Sequence, residues 1–291
     1  MWGNMNFDGR KIGNGEPVYM IAEIGINHNA DLQIAKRLID AAFACEWDCV
    51  KFQKRSPDLC VPEAQKNVRK STPWGEMTYL EYKHKIEFGQ CEYNYISYYC
   101  ANKPIQWSAS VWDFDSLDFI SEYDVPFIKI PSAKITNDKL LAATMHMGKP
   151  VIVSTGMSTI EEVDHAVNLM IFHSHVGFAL MHTNSAYPSP PGDINLRAIQ
   201  TLKERYGCPV GYSGHEYGLD PSVLAVAYGA DIIERHITLD HSMWGTDQKA
   251  SLEVHAMDML HKRVQEAGVC LGDGVKRVSE SEKPIREKLR G

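Results

Sequence analysis

The stretch "ADIIERHITLD", Ala230 to Asp240, runs from an apolar pair, Ile232 and Ile233, straight into Glu234, Arg235 and His236. It reads as a buried strand ending in three ionisable groups. Such groups are costly if buried without partners, so a strand that ends this way needs a reason. Seven other short apolar runs share its form: "VYMIAEIG" (18–25), "CVKFQ" (49–53), "IQWSAS" (105–110), "FIKIPS" (127–132), "PVIVST" (150–155), "GFALMHT" (177–183) and "PVGYSG" (209–214). Between them lie stretches with helical periodicity, among them 31–44, 137–147 and 159–173, and another at 253–267 follows the last run.

Alternating strands and helices imply a parallel sheet covered on both faces. Eight such units predict closure into an α/β TIM (β/α)8 barrel. The competing architecture is an open doubly wound sheet, but no Gly-rich dinucleotide fingerprint follows an early strand. The length of 291 residues suits one barrel, for which about 250 is typical. The segment "FDGRKIGNGEPVYMIAEIG", with its Gly-centred turns, predicts an N-terminal β-hairpin cap over the barrel's bottom. Residues 1–275 read as the barrel domain and 276–291 as a charged C-terminal tail. The 53–75 connection is long and polar, with Pro57, Pro62 and Pro73, and loops of that length are usually functional or mobile.

The net charge of −7 argues against a nucleic-acid surface. Seven irregularly spaced cysteines without a CxxC argue against a disulfide framework or a zinc ribbon. With no signal peptide and no apolar segment long enough to span a bilayer, the expectation is a soluble cytoplasmic protein with no membrane partner.

Barrels carry their chemistry at the C-terminal ends of the strands. Alternation along each strand turns Glu23, Lys51, Gln53, Lys129, Ser154, Ser213, His215, Glu234 and His236 inward. A purely structural interior favours Val, Ile and Leu. Lys51 and Lys129, with Ser110, Ser132, Ser154 and Ser213, read as an anion site. They also read as structural ion pairs with Glu23 or Glu234, and both can hold at once. His215 and His236 end adjacent strands and would share a divalent metal with open coordination positions; the alternative is that each is a hydrogen-bonded loop residue. Arg235 faces away, toward a salt bridge behind the site.

"AEIGINHNADLQIAKRLIDAA", "VKFQ", "FIKIPSA", "GKPVIVSTGMS", "YSGHE", "IIERHITLD" and "GTDQKASLE" together resemble the sialic acid synthase family, N-acetylneuraminate synthase and its relatives, over residues 10–290 in the same order. The resemblance implies condensation of phosphoenolpyruvate with an aldose such as N-acetylmannosamine, releasing phosphate. It implies Mn2+ or Mg2+ on His215 and His236. Phosphoenolpyruvate would be held by Lys51, Ser110, Lys129, Ser132, Ser154, Ser185 and Ser213. The sugar would meet Gln53, Tyr187 and Asp247, with Glu23 and Glu234 near the reacting carbons. Departures are Lys134 where the family usually carries an acid, "ASVW" for its "STPF", and "SGH" for its frequent "SDH". Typical members continue into an antifreeze-like domain whose Arg reaches the partner's sugar site, whereas this chain stops at Gly291; a homodimer through the barrel is the expected assembly. Three alternatives stay open: a synthase of the same chemistry using another, phosphorylated or deoxy-amino, aldose; a metal-dependent sugar-phosphate aldolase or isomerase; and a non-catalytic sugar-binding relative.

Overall fold

The computed structural model describes residues 4–13, 15–173 and 176–291. Eight parallel strands close into a barrel. They are β1 (Tyr19–Gly25), β2 (Cys49–Lys54), β3 (Gln106–Val111), β4 (Ile128–Ile130), β5 (Val151–Ser154), β6 (Phe178–Thr183), β7 (Val210–Gly214) and β8 (Ile232–His236). Each falls within a residue or two of its expected run. β8 pairs with β1 to complete the ring, setting Glu234 opposite Ile21 and His236 opposite Glu23.

Helices cover the outside. Leu32–Ala44 begins where Asp31 caps it, accepting from the backbone N–H of Gln33 and Ile34, and it buries Ala35, Leu38, Ile39 and Ala42. Outward strand residues such as Val50, Phe52, Ile128, Ile130 and Ile233 join that apolar layer.

The inward residues change character halfway up the barrel. At the bottom, Tyr19, Ile21, Cys49, Phe127, Ile152, Ala179, Met181 and Ile232 form a separate apolar cluster. The antiparallel hairpin Met5–Phe7 and Arg10–Ile12 plugs it: Met5, Phe7 and Ile12 are buried there, and the Phe7 ring meets Phe127 at 4.8 Å and Tyr19 at 5.2 Å. Two residues further along each strand, on the same inward face, the side chains become Glu23, Lys51, Lys129, Ser154, Thr183 and Glu234. Apolar packing at the bottom thus fixes the register that aims the polar groups at the top.

The 53–75 connection is folded. Two short helices, Pro57–Cys60 and Glu63–Lys66, lead into a hairpin of Arg69–Thr72 with Gly75–Thr78. Beyond the barrel, the helix Val254–Leu271 packs against the outer layer, and the charged helix Lys283–Arg290 is exposed. No helix among the described residues is long and apolar enough to cross a membrane, and the described cysteines are all free.

Candidate active site

The strand ends surround a cavity of about 210 Å³. Glu23, Lys51, Gln53, Ser110, Lys129 and Ser132 line it, as do Ser154, Ser185, Tyr187, Ser213, His215, Glu234 and His236. Asp247 is the one expected residue outside the lining. It lies half-buried in the loop after β8, and its carboxylate acts at longer range, favouring the charged form of His236.

A buried ionic chain forms the floor. Lys51 Nζ lies 2.5 Å from Glu23 and 3.8 Å from Glu234, and donates to Ser110 Oγ at 2.8 Å. Lys129 Nζ donates to Glu234 at 2.7 Å, and Ser213 Oγ donates to the other Glu234 oxygen at 3.2 Å. Each lysine is thus ion-paired and each also faces the cavity. The two carboxyls differ. Burial pushes Glu23 up to about 7, with Lys51 offsetting only part of that. Burial also opposes ionisation of Glu234, but Lys129 and Lys51 outweigh it and hold the carboxyl down at about 2. Lys129 sits below its ordinary value because burial exceeds the pull of Glu234. Two carboxyls in one cavity are thereby separated into a poised group and a permanent anion.

Ser132, Ser154 and Ser185 add hydroxyls to the lining. Ser132, in the turn after β4, accepts from the Gly156 N–H at 3.1 Å. A Cβ at Gly156 would collide with the Ser132 and Ser185 hydroxyls, so glycine there lets backbone and hydroxyls converge.

The histidines stand together with ring centroids 5.6 Å apart. His215 Nδ1 donates to the Asn184 carbonyl at 2.6 Å, which leaves Nε2 as the lone-pair nitrogen; it accepts from the Tyr187 hydroxyl at 2.8 Å. Burial, then the neighbouring His236, lowers His215 to about 4. Burial lowers His236 as well, and its Nδ1 is buried without a hydrogen-bond partner. Two neutral imidazoles, one oriented by a carbonyl and one with an unpartnered nitrogen, suit a divalent cation that accepts nitrogen ligands. Among the described residues no third His, Cys, Asp or Glu completes a ligand cluster with them.

Behind the pair, fully buried Arg235 donates to Glu216 Oε1 at 2.9 Å, to the Gly218 carbonyl at 2.9 Å and to Ser222 at 3.0 Å. This is the expected salt bridge behind the site, and it ties the ends of β7 and β8 together.

The sequence reading missed Trp112, Thr183 and Met157, which also line the cavity, and Arg55, which stacks on Trp112. Thr183 was within reach: it ends β6 on the same face as Met181. Trp112 and Arg55 lie one residue past their strands, where alternation stops giving direction. Lys134 ends the short turn Ser132–Lys134, half-buried, outside the lining.

A closed (β/α)8 barrel with buried lysines, serines and a histidine pair at its mouth defines an enzyme of anionic small molecules. The NeuB family model matches residues 38–276, and the chain belongs to the NeuB family. Among its relatives is the N-acetylneuraminate-9-phosphate synthase of Homo sapiens, 36% identical over 97% of this chain and 79% of that protein. Another is the N,N'-diacetyllegionaminic acid synthase of Campylobacter jejuni, 35% identical over 90% of this chain and 80% of that one. The solved N-acetylneuraminic acid synthetase of Leptospira borgpetersenii superposes with a TM-score of 0.89 at 33% identity, covering 100% of this chain and 98% of that one. The chain is thus a phosphoenolpyruvate-dependent condensing enzyme of the family's type.

Proposed function

We propose that the cavity condenses phosphoenolpyruvate with an N-acetylhexosamine-type aldose and water, giving a sialic-acid-like 2-keto-3-deoxy sugar acid and phosphate. The observation that carries this reading is the pair of buried lysines bracketing Glu234 at a cavity. Buried ion pairs are poor stabilisers, because desolvation consumes much of their attraction. Two of them facing a cavity serve a polyanion better than they serve the fold.

Lys51 and Lys129 bind the carboxylate and phosphate of phosphoenolpyruvate. Ser110, Ser132, Ser154, Ser185 and Ser213 complete the cradle with hydroxyls. Gln53, Tyr187 and Asp247 orient the aldose. His215 and His236 would hold a divalent cation, Mn2+ or Mg2+, which polarises the aldose carbonyl when bound. Carbon 3 of phosphoenolpyruvate attacks the aldose carbonyl carbon, the carbonyl oxygen takes up a proton to become a hydroxyl, and water captures the cation formed at carbon 2. Phosphate leaves by C–O cleavage. Glu23, poised near neutrality, takes the proton from the water, while Glu234 stays ionised and keeps both lysines charged. The relatives named above bear on the sugar: they are synthases of nonulosonic acids, one of them of a 9-phosphate.

The test is incubation with phosphoenolpyruvate, Mn2+ and a panel of aldoses, reading phosphate release and product mass. The expected result is release only when both substrates are present, with a product heavier than the aldose by one pyruvate. No release with any aldose would overturn the reading.

A further inference from the structure

We propose that Asn27, in the turn after β1, is a positioning residue for the aldose: acting through Ser251, it fixes where Asp247 stands at the mouth. The proposal rests on the condensation read above, in which Asp247 meets the sugar.

Asp247 belongs to a loop, residues 238–251, that leaves β8 and returns to it. The Leu252 N–H donates to the His236 carbonyl at 2.7 Å, and the Thr238 N–H to the Leu252 carbonyl at 2.9 Å. The loop's regular structure is the single turn Gln248–Ala250. Such a segment does not place a carboxylate by itself, yet the Asp247 charge reaches the site. Burial lowers His236 and raises Tyr187. In each the next largest influence is Asp247, favouring the imidazolium in one and the neutral phenol in the other.

Asn27 supplies the anchor. Its side chain is buried, and its amide nitrogen donates to the Ile237 carbonyl at 2.9 Å and to Ser251 Oγ at 2.8 Å. One partner precedes the loop and the other ends it, so a single amide ties both ends together. Ser251 Oγ passes the bond on, donating to the Asp247 carbonyl at 2.7 Å. The same turn grips the loop again. Asn29 Nδ2 donates to the Trp244 carbonyl at 2.8 Å. Gln248, fully buried beside Asp247, donates to the Asn27 and Trp244 carbonyls at 3.4 Å each and accepts from Thr238. Asp247 is therefore two hydrogen bonds from a turn that continues β1, the strand that carries Glu23.

Burying these amides costs desolvation, and Asn27 Oδ1 is left buried without a donor. Apolar side chains of similar volume would cover the loop without that penalty. They would not fix direction, because an apolar contact slides, whereas a hydrogen-bonded amide admits few placements of its partners. A loop that must hold one carboxylate against a sugar needs that definition; a loop that only covers the barrel does not. Both N–H groups of Asn27 face acceptors, so an Asp in its place would set a carboxylate against the Ile237 carbonyl.

The experiment uses the full chain with Mn2+ and the aldose that releases phosphate fastest. The proteins are wild type, Asn27→Asp, Ser251→Ala, Asp247→Asn and the double variant of the last two. The KM for each substrate is measured with the other saturating. Ser251→Ala is the mild variant, since the Asp247 carbonyl keeps the Ala250 N–H at 3.2 Å, and it decides the matter if Asn27→Asp fails to fold by circular dichroism. The expected result in both is an aldose KM raised roughly tenfold, about 1.4 kcal/mol, with the phosphoenolpyruvate KM within about twofold of wild type. On top of Asp247→Asn, Ser251→Ala should add about twofold at most, because the group it positions is already lost. Equal rises in both KM values mark a merely structural network and overturn the proposal. So does an unchanged aldose KM, or a full increment on top of Asp247→Asn. If Asp247→Asn alone leaves the aldose KM unchanged, the proposal falls while the condensation stands. If wild type turns over no aldose, the condensation reading fails. Calorimetric titration of the aldose panel then reads the relay directly: binding that Ser251→Ala weakens only where Asp247 is intact upholds it, and any other result overturns it.

Discussion

Gly25 shows how tightly single residues constrain the mouth. It ends β1 at φ +54, beside an irregularity in the pairing with β2. A Cβ there would lie 3.1 Å from Gln53 Nε2, 3.2 Å from Glu23 Oε1 and 3.2 Å from His236 Cε1. Gly25→Ala should therefore cost about 1–2 kcal/mol in backbone strain and displace three candidate site residues at once. The expected outcome is a folded protein by circular dichroism with a loss of kcat far larger than its loss of stability; full activity would mean that these three side chains do not act together. His28 is a residue of another kind. It is buried, stacks on Phe88 at a centroid distance of 3.8 Å, and accepts from the Ala30 N–H. Burial lowers it from 6.5 to about 3. Between those values the unfolded chain binds the extra proton, so stability is present above pH 6.5 and is lost as the pH falls toward 3. The loss should approach about 1.4 kcal/mol per pH unit well below the upper value. Urea midpoints of wild type and His28→Phe between pH 7 and 5 isolate it: the wild-type curve should fall more steeply, and parallel curves would exclude the assignment.

Among the elements, β7 and β8 matter most, because His215 follows directly on β7 and His236 ends β8. Arg235 and Glu216 join them in a space with no water-facing surface: the two side chains are 0% and 4% exposed. Arg235→Met would strand the Glu216 carboxylate with only Tyr212 and Ser222 to meet it, a change that typically costs about 3–5 kcal/mol. Adding Glu216→Gln should recover part of that cost in urea denaturation. Additive losses would show that the pair does not couple the strands. The same elements explain what could be read in advance. In "IIERH" the apolar-to-ionic change coincides with period-two alternation, which places Glu234 and His236 on one face and Arg235 behind them. "KFQ" gave Lys51 and Gln53 in the same way. The hairpin Arg69–Thr78 gave no such signal: most of its residues are at least partly exposed, its strands have four residues each, and neither has an apolar face. Its fold is set by long-range contact, since Trp74 at the tip packs on Trp244 from the loop after β8, which also meets Tyr82. Arg55 and Trp112 were illegible for a related reason. Their directions come from stacking on each other rather than from a strand.

At the scale of the whole molecule, every strand of the ring supplies a side chain to the mouth: Glu23, Lys51, Ser110, Lys129, Ser154, Thr183, Ser213 and Glu234, in strand order. A ligand that needs them all binds only the closed barrel and has no counterpart in the unfolded chain. Such a ligand stabilises the fold by about 2.7 kcal/mol at a hundredfold excess over Kd. Phosphoenolpyruvate alone should thus raise the thermal midpoint by a few degrees, without turnover. Lys129→Met removes one of the two ammonium groups of the floor and leaves Glu234 to Lys51, so the shift should largely disappear in that variant even where it still folds. Mn2+ should give a separate increment, because its two candidate ligands lie just past β7 and at the end of β8, and the lysines lie on β2 and β4. His236→Ala should remove the manganese increment and keep most of the phosphoenolpyruvate one. Thermal melts of the three proteins, with each ligand singly and together, read these terms without any assay of activity. A manganese shift that survives in His236→Ala would place the cation elsewhere, and a phosphoenolpyruvate shift that survives in Lys129→Met would remove the lysine floor from the substrate site.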